Sequence, residues 1–250
     1  MLPYINFLNI KIPSYFIMCL LGVLLGLFSA LKIGKKYKIK KEDIIYCFIY
    51  QILGMVIGAK LLYILENIQY DYKTFLENRG VSFCGGILGG TLALYIYSRQ
   101  YNISFYKLSS VLTIVFPIFY TFAKIGCFCA GCCYGIEYSG VGNIISLNSK
   151  YSPKGEMLFP IQLIESFYSF IISIIMLVTI IKEHSIKKYT PLAIFLLIFG
   201  FFRFFSDFFR GELKEKNTII SPTQIICCML IVISILEMKI NDKNKISNNP

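Results

Sequence analysis

Long apolar runs fill most of this 250-residue sequence and limit the folds that it can adopt. A helix that crosses the hydrocarbon core of a bilayer needs about 20 mostly apolar residues. Seven runs approach that length, at residues 14–31, 44–65, 81–97, 108–133, 162–181, 191–209 and 224–236. They predict an all-α integral membrane protein with seven transmembrane helices, in a membrane domain over residues 1–240.

The composition supports a membrane protein. Hydrophobic residues make up 56% of the chain and charged residues 16%, and the mean hydropathy is +0.65. A soluble domain has about 45–50% apolar and about 25% charged residues. The net charge of +11 lies in short lysine clusters between the runs, so we expect no nucleic-acid partner.

The basic residues also predict an orientation. The first loop, "KIGKKYKIKKED", carries six lysines, and the third and fifth loops and the tail fall on the same side if there are seven spans. The positive-inside rule then places the N-terminus outside and the C-terminus in the cytoplasm. We expect residues 241–250 to form a disordered polar cytoplasmic tail. The first run lacks a cleavage site of the A-x-A kind, and we expect it to be a retained span.

Several ionisable residues fall inside the apolar runs, where a charge is costly and is a candidate for function. They are Lys60, Lys124, Glu165, Arg203 and Asp207. Lys60 lies near the end of its run, where its side chain can reach the membrane surface. Arg203 and Asp207 have an i,i+4 spacing, which fits either an ion pair that stabilises the helices or a polar site.

Positive charge is expected near the outer half of the membrane, on Lys124, Arg203 and Arg210. A guanidinium can hold a phosphate through two parallel hydrogen bonds. The anion available at that depth is a phospholipid head group. Nearby, "SFCGGILGG" places four glycines in six residues, which predicts either close helix packing or a non-helical backbone that lines a cavity.

The segment "GCFCAGCCYG" contains four cysteines, Cys127, Cys129, Cys132 and Cys133. The last three can share one helical face, whereas Cys127 points elsewhere unless the helix breaks at Gly126 or Gly131. The chain has a single histidine in a loop, so a metal site would need cysteine or carboxylate ligands. Metal binding, thiol–disulfide chemistry, replacement of other polar residues and inert packing stay open, and we assign no metal ligand.

Taken together, these motifs resemble the prolipoprotein diacylglyceryl transferase family. The matching segments, in family order, are "RGVSFCGGILGG", "AKIGCFCAGCCYG", "FPIQLIES", "FRFFSDFFRG" and "SPTQII". Several positions differ from the family pattern. Cys84 stands at a histidine, Lys124 at an arginine, Cys127 at an asparagine, Cys132 at a glutamate and Asp207 at a glutamate.

The resemblance implies a bacterial cytoplasmic-membrane enzyme. It would move a diacylglyceryl group from phosphatidylglycerol to the cysteine thiol of a lipobox-containing pre-lipoprotein, or to another thiol acceptor, without a cofactor. The resemblance implies catalytic roles for Cys84, Cys132, Glu165 and Asp207. Substrate-binding positions would be Lys124, Arg203, Arg210, Gly85, Gly86, Cys127, Tyr134 and Gln162. The alternatives are a non-catalytic lipid- or lipopeptide-binding protein and a membrane thiol redox or metal-binding protein.

Overall fold

The chain is mostly helical in the computed structural model, which describes residues 3–7, 10–66, 82–145, 149, 151–182, 190–211 and 220–247. The helices are α1 (Ser14–Gly34), α2 (Lys41–Glu66), α3 (Phe83–Gln100), α4 (Phe105–Leu112), α5 (Val115–Ala130), α6 (Ile161–Ile181), α7 (Pro191–Asp207) and α8 (Pro222–Ser247). Two short antiparallel hairpins, which the sequence did not predict, pair β1 (Tyr4–Phe7) with β2 (Ile10–Pro13) and β3 (Ile144–Ile145) with β4 (Met157–Leu158).

A helix lies at each of the seven apolar runs. Among the described residues, four helical stretches are long and apolar enough to cross a membrane: Ser14–Gly34, Lys41–Leu65, Phe105–Ala130 and Ile161–Ile181. These stretches confirm a mostly helical, multi-pass membrane architecture. The last helix, α8, continues to Ser247, so the expectation of a disordered tail is wrong for residues 241–247.

The fourth run differs from the prediction of one helix over residues 108–133. It contains α4 and α5, with a turn at residues 113–114 between them. Helix α5 ends at Ala130, because Gly131 adopts the left-handed conformation with φ 78°, which favours glycine. Cys132 and Cys133 therefore follow the helix and share no helical face with Cys129, which is the outcome expected for a break at Gly131.

The described chain divides into two compact units, and one of them comprises residues Ala30–Leu112. Its main contact is between α2 and α3, whose backbones approach closely at glycines. A methyl group on Gly85 or Gly89 would meet the backbone of Gly58 or Gly54 on α2. The glycine-rich segment is thus helical from Phe83 and serves helix packing, as one of its two interpretations predicted, and the non-helical alternative is wrong.

We predict that Gly89→Ala destabilises the protein and that Gly86→Ala, a matched control, does not. A methyl group on Gly89 collides with the α2 backbone, whereas on Gly86 its nearest neighbour is 3.6 Å away. Overpacking of this kind costs about 1–3 kcal/mol. Thermal unfolding in detergent measures the difference, and equal midpoints for the two variants would show that α2 and α3 do not touch at Gly89.

The second unit comprises Met1–Ser29 with Thr113–Pro250. Helix α5 packs on α6, α6 on α7 and α7 on α8. An aromatic cluster joins α5 to α7, where the ring of Phe199 lies 5.0 Å from that of Phe116 and 5.3 Å from that of Tyr120. In this arrangement the end of α5, the start of α6 and the end of α7 lie together, and each of these helix ends carries polar residues.

Candidate active site

Glu165 lies at the centre of a buried group of charges. It stands in the second turn of α6, and its side chain is completely buried. Its Oε2 atom lies 2.6 Å from Nζ of Lys124 on α5, and its Oε1 atom lies 2.9 Å from Nη1 of Arg203 on α7. Ser206 donates a further hydrogen bond to Oε1 at 3.2 Å. One carboxylate therefore joins three helices, which satisfies the requirement that a buried charge be paired.

Arg203 extends this group of charges along α7. Its Nη2 atom lies 3.0 Å from Oδ1 of Asp207, while its Nη1 atom binds Glu165. Asp207 also accepts a hydrogen bond from the hydroxyl of Ser221, and its Oδ1 lies 3.9 Å from Nη1 of Arg210. The planar guanidinium of Arg203 thus spans two carboxylates, a geometry that a lysine cannot provide.

The ion pairs of the described residues join three cations and two carboxylates, namely Lys124, Arg203, Arg210, Glu165 and Asp207, and these five residues form the ionic cluster. Four of the side chains are almost inaccessible, and that of Arg210 is the most exposed at 14%. The guanidinium of Arg210 is therefore the charged group of the cluster that a ligand can reach most easily.

The segment after α5 is tied to the same helix ends. Gly135 pairs with Arg210 in an antiparallel bridge, and the backbone N–H of Gly211 donates to the carbonyl of Tyr134 at 3.0 Å. Gln162 on α6 donates from Nε2 to the carbonyl of Cys132, also at 3.0 Å. These contacts hold the cysteine-containing turn beside the ionic cluster.

Three of the four cysteines in this segment form a compact group. The Sγ atoms of Cys127, Cys132 and Cys133 all lie within 4.8 Å of one another. The break at Gly131 allows this arrangement, because the chain reverses after α5 and brings the last two cysteines back to Cys127. Cys129 lies outside the group, whereas a helix that continued past Gly131 would have put it on a face with Cys132 and Cys133.

The thiol of Cys132 donates a hydrogen bond to the carbonyl of Cys127 at 3.8 Å. This contact holds the turn after Gly131 against the last turn of α5.

A sequence profile described as prolipoprotein diacylglyceryl transferase matches residues 3–240 of this chain. The chain belongs to this family. The match confirms the resemblance that the motifs indicated.

Relatives of the family align over most of their length. A Clostridium tetani protein named phosphatidylglycerol--prolipoprotein diacylglyceryl transferase is 29% identical over 237 residues, which cover 93% of this chain and 94% of that protein. A second transferase of that name from Clostridium perfringens is 26% identical over 238 residues, covering 93% and 92%. The Rickettsia conorii transferase is 30% identical over 214 residues, or 80% of each chain.

The structure brings most of the expected site residues of the prolipoprotein diacylglyceryl transferase family into one unit. They are Lys124, Cys127, Cys132, Tyr134, Gln162, Glu165, Arg203, Asp207 and Arg210. Gly85 and Gly86 lie in the first turn of α3, in the Ala30–Leu112 unit. Cys84 is in the same turn, and its side chain lies outside the described residues.

Sequence reasoning missed two polar contributors to the site, Ser206 and Ser221. Ser206 contacts both Glu165 and Arg203, and Ser221 holds Asp207. The signal for Ser206 was its position three residues after Arg203, on the same helical face. Ser221 precedes α8 in the chain, so its contact with Asp207 depends on tertiary packing and has no local signal.

We predict that Glu165→Gln lowers the free energy of unfolding by about 3–5 kcal/mol, because it leaves Lys124 and Arg203 buried without their shared carboxylate. The matched control is Glu156→Gln, since Glu156 is exposed. Chemical denaturation of the two purified variants in the same detergent measures the effect. If both variants unfold like the unchanged protein, Glu165 does not hold the helix ends together.

Proposed function

We propose that this chain transfers a diacylglyceryl group from phosphatidylglycerol to a cysteine thiol of a pre-lipoprotein, forming a thioether and releasing glycerol phosphate. The names of its relatives describe this activity. The structural observation that supports it is the buried ionic cluster, in which Lys124, Arg203 and Arg210 lie beside two carboxylates. Guanidinium and ammonium groups are the side chains that bind a phosphate such as the phosphodiester of phosphatidylglycerol.

Arg210 is the cation best placed to receive the phosphate. It is the most exposed member of the cluster, so a ligand can reach its guanidinium most easily. Arg203 and Lys124 are paired with carboxylates and are more deeply buried, and they add their positive charge to the site. In this arrangement the phosphate of the leaving group meets fixed cations as its charge develops, which lowers the barrier to its departure.

The other expected residues of this unit take roles beside the cations. Glu165 and Asp207 orient the cations, Cys132 occupies a catalytic-centre position, and Tyr134, Gln162 and Cys127 contribute to substrate binding through the turn that they hold. From the family resemblance we also propose a catalytic role for Cys84 and substrate-binding roles for Gly85 and Gly86, in the first turn of α3.

For the membrane topology, we propose seven transmembrane helices in a bacterial cytoplasmic membrane, with the N-terminus outside. Lysine-rich loops on one side support this orientation. It places the cysteine turn and the ionic cluster in the outer half of the membrane, where a pre-lipoprotein that has crossed the bilayer would present its cysteine.

The topology predicts that green fluorescent protein fused after Pro250 fluoresces, because its fold forms on the cytoplasmic side. An alkaline phosphatase fused at the same residue is expected to be inactive, since that enzyme needs an oxidising compartment for its disulfides. Cells that carry each fusion give the measurement. Active phosphatase with a dark fluorescent fusion would reverse the proposed orientation.

A non-catalytic lipid-binding role is the second candidate, and one observation favours it. Both oxygens of Glu165 and both oxygens of Asp207 are already bound by cations or hydroxyls. In this state neither carboxylate is ready to take a proton from an acceptor thiol. A protein of this kind would bind phosphatidylglycerol and release no glycerol phosphate.

The transfer reaction tests the proposal. Purified protein in phosphatidylglycerol vesicles is mixed with a lipobox peptide, and we expect the peptide mass to rise by one diacylglyceryl unit as glycerol phosphate is released. Lipid binding without release would favour the non-catalytic candidate.

We further predict that Arg203→Lys slows this transfer roughly 10- to 100-fold, because a single ammonium cannot span Glu165 and Asp207 and a charge-assisted hydrogen bond is lost. Arg99→Lys, at an exposed position on α3, is the matched control. Equal rates for the two variants would remove Arg203 from the proposed site.

A further inference from the structure

The three clustered thiols need an explanation that the ionic cluster does not provide. Cys127 lies in the last turn of α5, and the left-handed Gly131 returns the chain so that Cys132 donates its N–H to the carbonyl of Cys127 at 3.1 Å. Cys133 then adopts φ 54°, a left-handed conformation that is unfavourable for a residue with a side chain. Strain of this kind is concentrated at functional sites, and here it brings a third sulfur to the group.

The sulfur spacing fits a thiolate-bound metal ion. Three sulfurs around one zinc ion, each at about 2.3 Å, are about 3.8–4.0 Å apart. The Sγ atoms of Cys127, Cys132 and Cys133 already lie within 4.8 Å, so small side-chain rotations close the site. Soft thiolate ligands select zinc or copper(I) among the common metals.

Local charge favours a divalent ion over a monovalent one. Three thiolates around Zn²⁺ carry a net charge of −1, whereas around copper(I) they carry −2. Arg210, whose backbone pairs with that of Gly135 two residues after Cys133, brings a compensating positive charge to the cysteine turn. Zinc also requires a fourth ligand for its tetrahedral geometry, and three protein ligands with one open position are typical of catalytic zinc sites.

We propose that Cys127, Cys132 and Cys133 bind one Zn²⁺ ion and that its fourth position receives the cysteine thiolate of the acceptor. This inference rests on the proposed diacylglyceryl transfer and names the group that activates its thiol. Zinc lowers the pKa of a bound thiol and holds it as a nucleophile at neutral pH. The carboxylates of Glu165 and Asp207, which are engaged by cations, then need not act as bases.

The transfer step balances without an oxidant or reductant. The acceptor thiol loses its proton to water when it binds zinc. Its sulfur attacks the glyceryl carbon that carries the phosphate ester, so a C–S bond forms as the C–O bond breaks, and the electron pair of that bond leaves with the glycerol phosphate oxygen. The thioether is a neutral and weaker zinc ligand than the thiolate, and its dissociation reopens the fourth position.

Metal content gives the first test. Reduced full-length protein is incubated with Zn²⁺, freed of loosely bound ion and analysed for zinc, with about one ion per chain expected. With Co²⁺ in place of zinc, we expect thiolate-to-cobalt charge-transfer absorption. Cys127→Ser, Cys132→Ser and Cys133→Ser should each weaken Co²⁺ binding at least tenfold, whereas Cys129→Ser, outside the group, should not. Zinc-free unchanged protein, or an equal loss in Cys129→Ser, would overturn the proposal.

The binding of the acceptor is tested with the unchanged protein, so the result does not depend on whether a variant folds. A lipobox peptide should shift the cobalt spectrum, and the same peptide with serine for cysteine should not. Removal of zinc by a chelator should then abolish the transfer. Full transfer by the chelated protein overturns the zinc site and leaves the proposed function intact, whereas a spectral shift without glycerol phosphate release supports the site and overturns the transfer.

Discussion

A carboxylate without access to water holds this site together. Glu165 is paired with Lys124 on α5 and with Arg203 on α7, and the desolvation cost of these charges is offset only while all three stay in contact. That requirement fixes the positions of the ends of α5, α6 and α7 relative to one another along their axes. The aromatic contacts of Phe116 and Tyr120 with Phe199 also pack α5 against α7. They fix the relative positions of these helices less strictly, because apolar contact is not directional.

The ionic cluster also explains which departures from the family pattern leave the scaffold intact. Lys124 stands at an arginine position, and its ammonium meets a single oxygen of Glu165, so a point charge is sufficient there. Arg203 spans two carboxylates and is an arginine in both the family pattern and this chain. Cys127 and Cys132 stand at two further departures from the family pattern in the same unit, and the ion pairs of the cluster are formed with these cysteines in place. The thiol chemistry can therefore differ from the family pattern while the ion pairs stay the same.

The sequence predicted the helices and the charged residues but only part of the way that they meet. Apolar runs specify helices in a membrane because backbone groups have no other hydrogen-bond partners there, and a helix lies at each predicted run. The i,i+4 spacing of Arg203 and Asp207 fitted an ion pair as one of two interpretations, and the two side chains do form one. The pairing of Lys124 with Glu165 joins two helices and could not be read from local spacing.

The cysteine group shows a different limit of sequence reasoning. Which cysteines lie together depends on whether α5 continues past Gly131 or ends there, because the two outcomes bring different cysteines into contact. Glycine permits a left-handed residue without requiring one, so the sequence left both outcomes open. The break selects Cys127 in place of Cys129 and changes a helical stripe of thiols into a compact group.

Residues 134–136 pair with residues 209–211 through a short stretch of backbone ladder, in which the Ile136 N–H also donates to the carbonyl of Phe209 at 3.1 Å. This ladder begins one residue after Cys133 and contains Arg210. Its backbone hydrogen bonds therefore set the separation between the cysteine turn and the backbone of the arginine, so the register of this short ladder decides which residue after the end of α7 stands beside the sulfurs.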